Sequence, residues 1–156
     1  MIDVYLFDWG DTLMVDFPGV TGKMCDWKNV KAVEGAEETL KHLSEKAQIY
    51  IATGAIESSE ADIKKAFNRV GLDSYIAGYF CKDNLGCKKG HPDFLPTILE
   101  QLGKKPDQVT MVGDSLKSDI EPAQKIGIKT IWFNENQTAD GQATVRTIAT
   151  LKELCL

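Results

Sequence analysis

Short apolar runs alternate with amphipathic segments of helical period along almost the whole of this chain, and that alternation constrains its fold more than any other feature. Ile2, Val4, Tyr5, Leu6 and Phe7 form a strand-like run, as do Gln48–Ala52, Ile76–Phe80, Val109–Val112 and Lys129–Phe133. Between them, Ala36, Leu40 and Leu43 share one helical face, and Ile63, Ala66, Phe67 and Val70 follow i, i+3, i+4, i+7 spacing. Leu95, Ile98, Leu99 and Leu102 repeat that stripe. Strands that alternate with helices lie parallel and are covered on both faces. The expected fold is therefore α/β: a three-layer Rossmann-like sandwich with a mainly parallel central sheet.

Punctuation sets the boundaries. Ser58 or Ser59 can cap a helix over 58–70 that Gly71 ends. Pro92 lies near the first turn of a helix closed by Gly103, and Ser118 to Ile126 reads as a helix with Pro122 early and Gly127 behind it. A polar connection over 134–144 leads to a final helix over 145–154. Residues 14–33 carry Pro18, Gly19 and Gly22 without clear period. They form either a small flap, with Phe17, Val20, Met24 and Trp27 over a crevice, or a plain loop packed on the core. The 156 residues suit one domain, 1–156, able to bury roughly 70% of its unfolded surface.

Composition excludes several classes. A net charge of −5 with no Lys/Arg run argues against a nucleic-acid partner. No stretch approaches the ~20 apolar residues of a membrane span, and no basic-then-apolar leader opens the chain. Cys25, Cys81, Cys87 and Cys155 form no CxxC pair, and the gap from Cys81 to Cys87 fits no usual zinc spacing. Free thiols in a reducing cytoplasm are the expectation.

Chemistry concentrates at strand ends. Asp8 stands where the first apolar run stops and Trp9-Gly10-Asp11-Thr12 begins, and Val112-Gly113-Asp114-Ser115 repeats the arrangement. In an open α/β sheet both carboxylates would face the crevice beyond the C-terminal strand ends. Like charges about 4 Å apart repel by roughly 4 kcal/mol at an effective dielectric near 20. The pair therefore calls for a cation or a proton, and a divalent metal is the simplest answer.

Four motifs in order now resemble those of the haloacid dehalogenase-like hydrolase superfamily. They are Phe7-Asp8-Trp9-Gly10-Asp11-Thr12-Leu13, the strand-end Thr53, Lys89 ahead of a helix, and Val112-Gly113-Asp114-Ser115 with Asp119 five residues after Asp114. The resemblance spans residues 2 to about 133. It implies a hydrolase, a phosphatase acting on phosphate esters through an aspartyl-phosphate on Asp8. Thr53 would bind a phosphoryl oxygen, and Lys89 would neutralise the nucleophile and the phosphoryl group. Counting back from Asp114 favours Lys89 over the adjacent Lys88. The implied cofactor is Mg2+, with Asp8, the Gly10 carbonyl and Asp114 as ligands and Asp119 as a further ligand or a partner of one.

One departure stands out. Phosphatases of this superfamily usually carry an acid–base Asp two positions after the nucleophile, where this chain has Gly10. Acid–base help is typically worth 10²–10⁴-fold in rate. Asp11 is one position later, but the turn is expected to aim it elsewhere, as a carboxylate accepting loop amides. His91 is another candidate near Lys89, or a solvated residue at a helix start. The alternative function is thus a non-catalytic or weakly active protein that binds magnesium and a phosphorylated ligand.

A small residue at position 10 also resembles phosphonoacetaldehyde hydrolases and dehalogenases, which use large caps. Only 45 positions separate Asp8 from Thr53, leaving no room for one there, and the stretch from Thr53 to Lys89 is filled by one helix and one strand. A capless or minimal-cap member is expected.

Overall fold

Val4, Leu6 and Phe7 are completely buried at the centre of a six-stranded sheet whose order is β3-β2-β1-β4-β5-β6. The computed structural model describes residues 2–138 and 145–156. The strands are β1 (Val4–Phe7), β2 (Gln48–Ala52), β3 (Gly78–Phe80), β4 (Val109–Gly113), β5 (Lys129–Phe133) and β6 (Arg146–Ile148). Every neighbouring pair runs parallel, with Val4 opposite both Gln48 and Val109.

Side-chain alternation divides the core into two layers. Val4 and Leu6 of β1, with Val109 and Met111 of β4, point to one face, where they meet Phe94, Leu95, Ile98 and Leu99 of α4 (Phe94–Leu102) and Ala123 of α5 (Glu121–Lys125). Phe7, Val112, Ile49 and Ile51 point to the other. There they meet Leu40 and Leu43 of α1 (Ala36–Ser44) and Ile63, Ala66 and Phe67 of α2 (Glu60–Arg69). A short helix, α3, covers Lys82–Leu85. Burying each such large apolar side chain is worth about 1.5–3 kcal/mol. The three-layer sandwich matches the expectation, and no cap domain is inserted among the described residues.

Ser59 starts α2: its hydroxyl accepts the Asp62 amide at 3.1 Å, while Asp62 Oδ2 accepts the Ser59 amide at 3.0 Å. That amide, together with Lys23 at 3.0 Å, holds the Asp62 carboxyl down to about 2.

Three local expectations need correction. Pro92 lies before the α4 N-cap, Asp93, and Pro96 sits inside the first turn instead. The stretch from Ser118 is not one α-helix. Residues Leu116–Ile120 make a wider π-type turn, and α5 starts afresh at Glu121 because Pro122 has no amide to donate back into that turn. Finally, 145–154 is β6 followed by a 3-10 turn over Leu151–Cys155. Glu153 accepts the amides of Ala149 (2.7 Å) and Thr150 (2.8 Å), so the turn is capped at Thr150. Of the connection 134–144, residues 139–144 lie outside the described residues.

Residues 14–33 pack on the core. Met14 bridges to Gly10 and Ala32, and a 3-10 turn at Met24–Asp26 packs Met24, Cys25 and Trp27 onto the core. The same segment borders a hollow beside Thr53. Among the described residues, no helix is long and apolar enough to cross a membrane.

Candidate active site

The chain steps outward from β1 through β2 to β3, then returns to the far side of β1 at β4. The crevice beyond the ends of β1 and β4 is therefore the topological switch point where open α/β sheets bind ligands. Asp8 follows β1, its amide donating to the Val112 carbonyl at 3.0 Å, and Asp114 follows β4. The buried Thr12 hydroxyl lies between them, 3.2 Å from Asp8 Oδ2 and 3.3 Å from Asp114 Oδ1. Trp132 pins the Asp114 carbonyl through its indole N–H at 2.9 Å.

Asp119 joins them from the π-type turn. Its Oδ2 accepts the Ser115 amide at 3.1 Å, and its carboxylate is almost fully buried. One oxygen each from Asp8, Asp114 and Asp119 lies within 4.8 Å of the others.

Lys89 reaches this cluster from the loop between α3 and α4. Its ammonium donates to Asp8 Oδ1 at 2.8 Å and to the Ala52 carbonyl at the end of β2 at 3.0 Å, and it pairs with Asp119 Oδ1. The ammonium thus makes two hydrogen bonds and one ion pair. The side chain is 8% exposed, whereas Lys88 faces solvent. Burial pulls the Lys89 ammonium down, but Asp8 and Asp119 outweigh it and hold it above its ordinary value.

Three carboxylates against one ammonium leave two negative charges uncompensated. Burial, and then Asp8 beside it, pushes Asp114 up to about 7. Burial and Asp8 likewise push Asp119 up to about 6, against the pull of Lys89. An all-oxygen donor set with a charge deficit of two fits a hard divalent cation. The Gly10 carbonyl accepts no backbone hydrogen bond among those found in the loops of the described residues.

Thr53 is buried, and its Oγ1 accepts the Ala55 amide at 3.1 Å, the geometry of a Ser/Thr turn. Its own O–H hydrogen is not used by that bond. Two hollows meet at Gly54. One, of about 240 Å³, is lined by Asp8, Gly54, Lys89, Ser115, Ser118 and Asp119. The other, of about 320 Å³, runs along Trp9, Gly10, Asp16, Lys23, Trp27 and Thr53.

A profile of the haloacid dehalogenase-like hydrolases matches residues 15–133, most of the chain. The chain belongs to this family. Among haloacid dehalogenase-like relatives, it is 34% identical over 113 residues to a glyceraldehyde 3-phosphate phosphatase of Pyrococcus furiosus, a match covering 71% of this chain and 45% of that enzyme. The chain spans about half the length of such curated relatives. A crystal structure of an uncharacterized protein from Listeria monocytogenes serotype 4b superposes with a TM-score of 0.85 at 20% identity, covering 97% of this chain and 94% of that one. A HAD phosphatase from Thermococcus onnurineus gives 0.77 at 21%, covering 99% and 96%. These two likenesses establish the fold.

In this haloacid dehalogenase-like chain, the other acid–base candidates border the cluster: Asp11 lines a hollow with Asp114, and His91 lines one with Lys89 and Asp119. Asp11 has a left-handed backbone (φ 61°), and its Oδ1 accepts the Asp16 amide at 3.0 Å, so it braces the loop. His91 is half-exposed, its Nδ1 accepting the Asp93 amide at 3.1 Å. Sequence reasoning gave no role to Thr12, although it lies inside the first motif. It also passed over Asp16, which no periodicity or motif singles out.

Proposed function

We propose that this chain is a magnesium-dependent phosphatase that hydrolyses phosphate esters through a covalent phosphoryl intermediate on Asp8. The observation that carries the reading is the Lys89 ammonium, fixed against Asp8 at the β1–β4 switch point beside two further carboxylates. A nucleophilic carboxylate facing a phosphate dianion needs fixed positive charge around it, and this arrangement supplies it on one side.

In this reading the phosphoryl group enters the hollow between Asp8, Lys89 and Ser118. Lys89 draws charge from Asp8 Oδ1 and from a phosphoryl oxygen, and the Thr53 O–H donates to another. An Asp8 oxygen attacks phosphorus while the bond to the leaving oxygen breaks. Water then attacks the same phosphorus, releasing phosphate and restoring the Asp8 carboxylate. Asp8, Asp114 and the Gly10 carbonyl would hold Mg2+, with Asp119 beside them orienting Lys89. When bound, the ion would mask phosphoryl charge and bring the two anionic partners together. The neighbouring hollow, of about 320 Å³, suits the rest of a small phosphorylated molecule. The relative from Pyrococcus furiosus, named for glyceraldehyde 3-phosphate, is consistent with that class.

Hydrolysis of p-nitrophenyl phosphate and a panel of small phosphate esters, with wild type beside Asp8→Asn, tests the reading. Turnover that needs Mg2+, stops with EDTA and disappears in Asp8→Asn is expected. Identical traces for the two proteins would overturn it. Gly10 favours a second reading, a magnesium-dependent phosphate-binding protein without turnover, and fluoroberyllate binding with no hydrolysis would support that instead.

A further inference from the structure

The space beside Gly10 is already occupied by a carboxylate. A Cβ built on Gly10 would stand 3.3 Å from Asp16 Cβ and 3.5 Å from Asp16 Oδ2. The path of the chain explains this close return. Asp11 takes a left-handed conformation and its amide donates to the Met14 carbonyl at 2.6 Å. The amides of Leu13 and Met14 both donate to the Trp9 carbonyl, at 3.1 and 3.2 Å. The tight loop then brings Asp16 back across Gly10, where its amide is held by Asp11 Oδ1 at 3.0 Å. Its side chain faces solvent and lines the hollow that contains Trp9, Gly10 and Thr53. That hollow meets the Asp8–Lys89 hollow at Gly54, so Asp16 stands on the side where a leaving group would lie.

We propose that Asp16 carries the acid–base carboxyl of this site, supplied from the loop across Gly10 instead of from position 10 itself. The inference rests on the phosphatase reading above. In the first half-reaction Asp8 bonds to phosphorus, the phosphorus–oxygen bond to the leaving group breaks, and the electron pair left on that oxygen takes the proton of the Asp16 carboxyl. In the second, water bonds to phosphorus, gives its proton to the Asp16 carboxylate, and the bond from phosphorus to Asp8 breaks. Both residues return to their starting states. The close approach also means that Gly10→Asp in the wild-type background sets two carboxyl groups against each other, so it brings no gain.

The test compares ethyl phosphate, whose alkoxide needs a proton to leave, with p-nitrophenyl phosphate, whose phenolate does not. The readout is kcat/KM, which reports the steps through the first irreversible one. Asp16→Asn is expected to lower the value for ethyl phosphate by roughly 10²–10⁴-fold. The loss on p-nitrophenyl phosphate should be much smaller. Adding Gly10→Asp to Asp16→Ala is expected to recover at least tenfold on ethyl phosphate. Wild-type values for Asp16→Asn on both esters, or equal losses on both, would overturn this inference while leaving the phosphatase reading intact. Absence of Mg2+-dependent turnover in the wild type itself would overturn both.

Discussion

Asp119 packs its carboxyl group against the bare Cα of Gly113, where a Cβ would lie 2.6 Å from Asp119 Cβ and closer still to the carboxylate. Contacts that short do not survive, so the end of β4 must be glycine for Asp119 to reach Lys89. The strand end thereby sets the position of the Lys89 ammonium, and through it Asp8. Gly113→Ala is expected to cost about 1–3 kcal/mol, the usual range for overpacking a close contact. Turnover should fall more than tenfold, because Asp119 must move. Urea unfolding and steady-state hydrolysis check both; unchanged values in the two assays would show that Asp119 has room to shift.

Lys89→Met removes the ammonium and leaves Asp8 and Asp119 facing each other under cover. Breaking a buried ion pair from one side costs about 3–5 kcal/mol when the remaining charge cannot escape. Here the buried Asp119, whose carboxyl is already raised by burial, can take up a proton, so the loss should be largest at pH 8 and smaller at pH 5. Adding Asp119→Asn to Lys89→Met is expected to return part of the stability at pH 8 without restoring turnover. Denaturant midpoints at the two pH values measure this, and a pH-independent loss would contradict it.

Burial first, and Asp8 next, raise Asp114 to about 7 and Asp119 to about 6 from an ordinary value of 3.8. A folded-state value above the unfolded one means that the native protein holds protons the unfolded chain has released. Without a cation, the contribution of these groups is therefore most favourable below about pH 4 and declines as pH rises through 6 and 7. A divalent ion competes with those protons, so its stabilising effect should grow over the same window. Thermal unfolding with EDTA or with millimolar Mg2+ should show a small rise in Tm at pH 5.5 and a larger one at pH 8. Asp114→Asn should abolish most of the difference. Equal Mg2+ shifts at both pH values would count against a metal held by these carboxylates.

The helices α1, α2 and α4 were legible because each buries one face at helical spacing and is bounded by a cap or a glycine, and the strands β1, β2, β4 and β5 because each is a short apolar run. The C-terminal segment was not, for a physical reason. Val145, Ile148, Leu151 and Leu154 recur every three residues, a spacing that an amphipathic helix shares with a 3-10 turn. The capping pair Thr150 and Glu153 was the clue to a break at that point. Asp8 and Asp114 could be expected to converge from strand-end logic, whereas Asp119 and Lys89 were placed beside them only by the motif order of the resemblance. Asp16 was out of reach of such reasoning. Its place depends on a left-handed turn at Asp11 and a return path that no periodic pattern encodes.

Arg69, at the end of α2, holds the loop that walls the second hollow. Its guanidinium donates to the carbonyls of Cys25 at 3.2 Å, Trp27 at 2.5 Å and Lys28 at 3.2 Å. Three carbonyls of a turn share one planar fork, which a lysine ammonium cannot span in the same way. The arginine is exposed, so water would satisfy much of what Arg69→Met removes, and the stability cost should be only about 1–2 kcal/mol. The loop itself should suffer more, because its carbonyls would lose their common anchor while Met24, Cys25 and Trp27 stay packed. Limited proteolysis should cut faster between residues 20 and 30, and KM for small phosphate esters should rise several-fold with kcat nearly kept. Wild-type cleavage rates and KM would mean that burial of those three side chains holds the wall without the arginine.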